Sequence, residues 1–455
     1  MRSPAVVFFL LATTIGRAGT PLDERAARFL TDLIRLDTTN PPGNEARVAQ
    51  YIKRALDTEG ITCELLGPHP ARLNAVARLP GSGSRRPLLL MAHSDVVPAD
   101  RGQWSVDPFA GVLREGYLYG RGAQDDKSLL AAELAVMVEL KRRGIALQRD
   151  IILLSEADEE AGSSGIQWLI ANAWSKIDAD FALNEGGFAM DLASGKRLYH
   201  VQTTEKIPTR IVLRAHGTAG HGSLPRADNP VVAIARALVR LSESDQPVRL
   251  NSTTKRYFAA LARLEDFRWL APLVRKLDEA SGAFAANQIR SRDPELDAQL
   301  RTTLSPTMLN AGTKINVIPN VAEAQVDVRR LPDESADEVL ARLRRIVHDN
   351  SVEVLPAAGQ EMPATEPSST TTPLFRAMEE VFAEASPNGL VVPYMQRGAT
   401  DGAFLRAKGM AVYGIPVFLR EERENRAHGN DERISVSNLA AGTELLLRVV
   451  LAVSQ

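Results

Sequence analysis

The sequence predicts an α/β protein, in which a mixed central sheet flanked by helices is interrupted by a smaller inserted α+β domain. Three observations predict it. Short aliphatic runs recur at 87–92, 151–154 and 181–183, and such runs read as strands buried on both faces. Stretches of helical length, either amphipathic or rich in alanine and leucine, lie between them. Around Ile207 the texture changes, and after about Ala357 the chain returns to the pattern of its first part. A chain of 455 residues exceeds one ordinary core, so two domains are expected.

Taken in order, residues 1–19 read as a signal peptide. Arg2 is followed by the apolar run 5–12 and by the small residues Gly16, Ala18 and Gly19, although Arg17 matches a cleavage site poorly. The protein is therefore expected to be exported, periplasmic or secreted. The apolar run is too short for a membrane span, and no later segment reads as one. Residues 22–206 form the first part of the main domain. It opens with a helix whose stripe is Ala26, Phe29, Leu30, Leu33 and Ile34, and a second helix covers 45–56. Strands follow at 74–79 and 87–92, then a helix at 128–142, the strand at 151–154, a helix near 165–173 and the run at 181–183. Residues 207–356 form the insertion. It holds a strand from Ile211, a glycine-rich loop at 219–225, a helix at 230–241, strands at 314–318 and 324–328, and a helix at 333–348. A helical expansion near 251–301 is expected to belong to it. The Pro, Ser and Thr of 357–372 mark a crossing back. Residues 357–455 complete the main domain with helices at 373–385 and 436–450 and a sheet segment at 412–417.

Composition narrows the function. The formal net charge of −2 and the lack of a long basic patch give no reason to expect nucleic acid. Cys63 is the only cysteine, so neither an intrachain disulfide nor a thiolate metal cluster can form. No strand leads into a Gly-x-Gly-x-x-Gly turn, which argues against a dinucleotide enzyme.

What the strand ends carry is more informative. The run 151–154 leads into Glu156, Asp158, Glu159 and Glu160; the run 87–92 ends at His93, Ser94 and Asp95; and the run 181–183 ends at Asn184 and Glu185. One acidic run alone reads as a solvated loop, but three strands delivering such residues do not. Ligands bind beyond the carboxyl ends of strands in open α/β sheets, and adjacent acids there repel unless a cation or proton intervenes. His93, Asp125, Glu160, Glu185 and His428, from five separated stretches, form a candidate ligand set for two metals sharing a carboxylate. Asp125 beside Asp126 could equally cap the helix that follows. Asp95 could accept the proton on the other imidazole nitrogen of His93. Glu159 and Glu160 are neighbours and point in different directions, so Glu160 can ligate while Glu159 serves as general base.

The segments His93–Ser94–Asp95, Gly120–Arg121–Gly122–Ala123–Gln124–Asp125–Asp126–Lys127, Asp158–Glu159–Glu160, Asn184–Glu185–Gly186 and Ala427–His428–Gly429–Asn430–Asp431–Glu432–Arg433 together resemble the di-zinc aminoacylase, carboxypeptidase and carnosinase family. The resemblance covers nearly the whole chain after Leu22. It implies two zinc ions, with cobalt or manganese as alternatives, bridged by Asp125. It places His93 and Glu185 on one zinc, Glu160 and His428 on the other, and Glu159 as the base. It further implies a di-zinc catalytic domain with an inserted lid that often makes a homodimer. His221 resembles a lid histidine that polarises the scissile carbonyl, sometimes from the neighbouring subunit. Arg329 and Asn316 resemble the substrate-carboxylate contacts, and Gly398, Thr400 and Asp401 a substrate loop. A planar guanidinium suits a bidentate carboxylate contact.

The long stretch 251–301 most resembles the branch with carboxypeptidase S and the secreted N-acyl-amino-acid hydrolases. The implied substrate is a small peptide or N-acyl amino acid with a free carboxylate, and a bulky apolar acyl group is admitted. The extra helices would cover the edge used for lid-to-lid pairing if they lay in the lid. A deacylase of a small biosynthetic intermediate is the alternative activity, against which the export signal weighs. A non-catalytic metal-binding protein would have lost Glu159 or several ligands, and all are present.

Overall fold

The computed structural model describes residues 21–357, 362–421 and 425–455, so the signal-peptide reading of residues 1–19 falls outside the described residues. A nine-stranded mixed sheet forms the main domain. Along the sheet the order is Thr62–His69, Arg72–Leu79, Ile151–Glu156, Leu88–His93, Phe181–Asn184, Ala411–Gly414, Arg197–Glu205 and Gly389–Gln396, with Phe188–Asp191 paired to Arg197–Glu205 off this path. The four strands from Ile151–Glu156 to Ala411–Gly414 run parallel, so their carboxyl ends share one edge. His93 lies in register with Glu156.

These strands are buried on both faces, as their aliphatic runs require. Alternate residues serve opposite layers. Leu88, Leu90, Ile151 and Leu153 face the core built with helices Leu22–Arg35, Lys127–Arg143, Pro373–Ala385 and Val436–Ser454. Leu89, Met91, Ile152 and Leu154 face a second layer under helices Ser164–Asn172 and Gly402–Ala407. The helix Val436–Ser454 is long and apolar enough to cross a membrane. Here it packs on Leu22–Arg35, Lys127–Arg143 and Pro373–Ala385, burying Leu446, Leu447, Val449 and Val450.

Helix Lys127–Arg143 is almost wholly buried, and so is its first residue. Lys127 Nζ donates to the carbonyls of Leu33 at 3.0 Å and Leu36 at 2.8 Å, joining this helix to the end of helix Leu22–Arg35. Burial pushes the lysine down to about 7. Asp126 takes the N-cap position but makes no side-chain cap bond, so capping does not explain the Asp125–Asp126 pair.

The insertion is a four-stranded antiparallel sheet in the order Thr303–Ala311, Val321–Arg330, Ile207–His216 and Val352–Pro356. Ile211, Leu213, Ala324, Val326 and Val328 point to one face, where helices Pro230–Glu243 and Ala336–Val347 cover them. The strand predicted at 314–318 is short, spanning Val317–Ile318, while Thr303–Ala311 forms the sheet edge. The helical stretch expected within the lid packs elsewhere. Tyr257, Phe258 and Ile289, from helices Ser252–Leu261 and Gly282–Arg290, lie against Leu198, Val392 and Tyr394 of the main sheet. It therefore leaves the lid edge strand open, and that strand is exposed from Ser305 onward.

Candidate functional site

At the carboxyl edge of the parallel strands, His93, Asp125 and Glu160 bring ligand atoms within 4.8 Å of one another, and so do His93, Glu159 and Glu185. Asp125 stands between the histidines. Its Oδ1 lies 2.9 Å from His93 Nε2 and its Oδ2 3.2 Å from His428 Nε2. His428 Nε2 is also 3.0 Å from Glu160 Oε1. All five predicted ligands therefore meet, delivered by the ends of three strands and two loops. Each ring presents Nε2 to the cluster.

The loops that carry Asp125 and His428 are locked together by Glu432. This fully buried carboxylate accepts from Arg121 Nη1 at 2.6 Å and from the backbone N–H groups of Gly122, Gln124 and Asp125 at 3.1, 2.7 and 3.1 Å. Arg121 Nη2 donates in turn to the His428 carbonyl. Glu432 was a functional residue without a role in the sequence reading. Its signal was its position four residues after His428, in a segment otherwise explained by one ligand.

Asp95 acts differently from the expectation. The Nδ1 of His93 lies 3.0 Å from the Asp95 main-chain carbonyl, whereas the carboxylate Oδ1 is at 3.6 Å, beyond hydrogen-bond length. The carboxylate instead accepts from the N–H groups of Glu159 and Glu160, both at 3.1 Å, and from Asn40 Nδ2 at 2.8 Å. It thereby sets the turn that separates the two glutamates. Asp158, left without a role by the sequence, anchors the same turn: it accepts from Arg72 Nη2 at 2.7 Å, Asn40 Nδ2 at 2.9 Å and Ser164 N at 3.2 Å. Glu156 is buried against Asp401, and burial followed by that neighbour pushes its carboxyl well above the usual range.

The cluster is rich in acids and poor in cations. Burial first, and then Glu185, raises Glu159 well above the ordinary carboxylate range; burial and then Asp125 do the same to Glu185. Burial opposes a charge on His93, but Asp125, Asp95 and Glu185 outweigh it and raise the ring well above its ordinary value. His428 is pushed up to about 10 by its bonds to Asp125 and Glu160. A site that draws protons onto both imidazoles and several carboxyls is short of positive charge, which is the environment a divalent cation relieves. The two-nitrogen, multi-carboxylate donor set suits zinc and its neighbours.

A 630 Å³ cleft opens over this cluster between the main domain and the lid. Asp125, Glu159, Glu160, Glu185 and His428 floor it, and Arg329, Gly398 and Thr400 lie along it. Arg329 Nε donates to Asp327 at 3.0 Å, and Thr400 Oγ1 to Glu205 at 3.0 Å. His221 and Asn316 do not line the cleft. They are exposed and close to each other on the lid, where the Gly222 N–H donates to the Asn316 carbonyl at 2.8 Å.

The fold and this site define an α/β protein with a candidate metal centre at the floor of a cleft. Residues 89–452 match peptidase family M20/M25/M40, and the chain belongs to that family. The family and its relatives make it a hydrolase acting on peptide or acyl-amino-acid amide bonds. It is 30% identical over 383 residues to the N-fatty-acyl-amino acid synthase/hydrolase PM20D1 of Homo sapiens, covering 81% of this chain and 74% of that protein. It is 24% identical to aminoacylase-1 of Homo sapiens, covering 92% and 93%. Among solved structures, the M20 family metallo-carboxypeptidase Sso-CP2 from Sulfolobus solfataricus shares the fold, with a TM-score of 0.72 at 19% identity, covering 93% of this chain and 99% of that one. Human carnosine dipeptidase 1 does so with a TM-score of 0.66 at 18% identity, covering 95% of this chain and 97% of that one.

Because the metal-free imidazoles hold protons and a metal needs their lone pairs, binding must release those protons. With His428 raised to about 10, the protons are present throughout the neutral range, so affinity is expected to rise with pH. Calorimetric titration of zinc into the metal-free protein, in two buffers of different ionisation enthalpy, should show release of at least two protons per chain. Affinity that is independent of pH would contradict the assignment of both histidines.

Proposed function

We propose that the chain hydrolyses the amide bond of a small peptide or N-acyl amino acid next to a free carboxylate, using two zinc ions, with cobalt or manganese as alternatives. His93 and Glu185 would hold one ion, Glu160 and His428 the other, and Asp125 would bridge them. When bound, the ions polarise the scissile carbonyl and lower the pKa of a water.

Glu159 carries the reading. It faces the cleft at the cluster, its main chain is fixed by Asp95, and its carboxylate has no hydrogen-bond partner among the described residues. Such a free carboxylate can take a proton from the attacking water and return it to the leaving nitrogen. Arg329 in the cleft wall is the candidate for the substrate carboxylate, exchanging Asp327 for it, with Gly398 and Thr400 along the same wall. Leu340, Pro356, Met362 and Phe404 give that wall an apolar portion suited to an amino-acid side chain. The relatives' names, N-fatty-acyl-amino acid hydrolase and aminoacylase, support an acylated amino acid as substrate.

Replacing Glu159 with Gln keeps the size and removes the base. Turnover should fall by about 10²- to 10⁴-fold while metal content, measured by mass spectrometry, stays as in the unsubstituted protein. Unchanged turnover would sink this mechanism.

A homodimer through the lid is the assembly we favour. The open edge strand Thr303–Ala311 carries exposed Met308 and Leu309, and Val231, Val232, Ile315 and Val317 are exposed on the same domain, apolar side chains that an edge strand ordinarily hides. Pairing there gives the exposed His221 and Asn316 a route to a second copy's cleft. Sedimentation velocity should return a dimer, and Met308→Glu a monomer. A monomeric unsubstituted protein would contradict the assembly.

A further inference from the structure

We propose that Glu205 is a positioning residue for the hydrolysis, which turns the Thr400 hydroxyl away from the cleft so that the main chain of residues 398–400 forms the wall beside the metal centre. The inference rests on the amide hydrolysis proposed above and names what holds the amino-acid half of its substrate.

Thr400 lines the cleft with Gly398 and Ala399, yet it is only 2% exposed. Its hydroxyl explains the difference. Oγ1 donates to Glu205 Oε2 at 3.0 Å and accepts from the Gly402 N–H at 3.3 Å. A threonine hydroxyl has a single proton to donate, and here Glu205 takes it. The side chain therefore faces inward, and what the cleft receives from this segment is backbone. The Thr400 carbonyl accepts from Ala403 N at 3.2 Å, which ties the segment to the first turn of helix Gly402–Ala407.

Glu205 is itself fixed from several sides. It ends the strand Arg197–Glu205, lies in register with Gln396 and is 4% exposed. Its Oε2 also accepts from Gln202 Nε2, and its Oε1 forms an ion pair with buried Arg406 Nη2 at 2.5 Å. Gln202 packs in turn on the residue that follows Glu185: a Cβ at Gly186 would fall 1.6 Å from Gln202 Oε1. Beyond Glu205, Lys206 Nζ donates to the carbonyls of Ala298 and Arg301 at 3.1 and 2.9 Å, and its backbone N–H to Gln396 O at 2.9 Å. One carboxylate thus links the Thr400 segment to the backbone beside Glu185.

Its place in the fold gives the link a consequence. The lid strand Ile207–His216 begins two residues later, and its Pro208 pairs with Arg329. Glu205 therefore stands where the Thr400 wall and the Arg329 wall of the cleft diverge. Its polar partners are Gln202, Thr400 and Arg406, none of them a candidate metal ligand. Weakening the carboxylate should shift the wall and leave the ions in place. A wall that holds the unreacting half of a substrate acts on ground state and transition state alike, so its displacement raises KM and spares kcat.

The test measures hydrolysis of N-acetyl-leucine by the zinc-loaded protein and by its Glu205→Gln, Thr400→Val and Thr400→Ser variants, with metal content checked for each. Thr400→Val leaves the buried ion pair untouched, so it probes the same contact without disturbing the charge balance of the interior. Glu205→Gln and Thr400→Val should each raise KM by about 10- to 100-fold, the range for a hydrogen bond to a charged group, with kcat held within about two-fold. Thr400→Ser keeps the hydroxyl and should stay near the unsubstituted KM. Both changes break one contact, so the double variant should be no worse than the poorer single one. Losses that multiply in the double variant would show the Thr400 hydroxyl reaching the substrate by itself and would overturn the positioning role. An unchanged KM in Glu205→Gln, or a loss confined to kcat, would overturn it too. If the unsubstituted protein cleaves neither N-acetyl-leucine nor any of a set of N-acyl amino acids and dipeptides, the amidase reading fails, and amide hydrogen exchange decides the role of Glu205. Faster exchange at 398–404 in Glu205→Gln, with the strand Leu88–His93 unchanged, supports its hold on the wall, and unchanged exchange at 398–404 overturns it.

Discussion

The structure depends on how it tolerates a concentration of carboxylates at one buried edge of a sheet. Asp125, Glu159, Glu160 and Glu185 meet where four parallel strands end, with two imidazoles between them. Like charges at such distances cannot all be ionised in a low-dielectric site without counter-charge. Asp125 organises the answer, because each of its oxygens faces a different histidine. The geometry supplies two adjacent places for positive charge and one carboxylate common to both.

That arrangement is held by interactions that never touch the cleft. Glu432 gathers the backbone of the Asp125 loop and neutralises Arg121, and Arg121 reaches the carbonyl of His428. Removing one partner of a buried pair such as this costs about 3–5 kcal/mol, since the other is left uncompensated. Asp95 and Asp158 do the corresponding work for the glutamate turn, one through backbone N–H groups and the other through Arg72 and Asn40. Acids therefore play two parts here. Some face the metals, and others fix the loops that aim them.

The central strands were legible because their residues are aliphatic on both faces, a pattern that burial imposes. The strand Arg197–Glu205 was not, although it is nearly as buried. Its interior is polar: Thr203 pairs with Thr253, Glu205 with Thr400 and Arg406, and His200 stacks on Phe188, so hydrophobic periodicity could not reveal it. The ligand cluster was legible because the acids and His93 stand at the ends of apolar runs. The role of the Asp95 carboxylate was not, since spacing cannot distinguish a side-chain acceptor from the main-chain carbonyl beside it. Charge and length gave the helical stretch 251–301 its class but not its neighbour, because its apolar residues would suit either domain.

The most direct measurement is the metal content of Asp125→Ala beside that of the unsubstituted protein, both loaded with zinc, desalted and compared by elemental mass spectrometry. If one carboxylate serves both positions, the unsubstituted chain retains about two ions and the variant loses both together, with its circular dichroism unchanged. A variant that still holds two ions per chain would contradict the account.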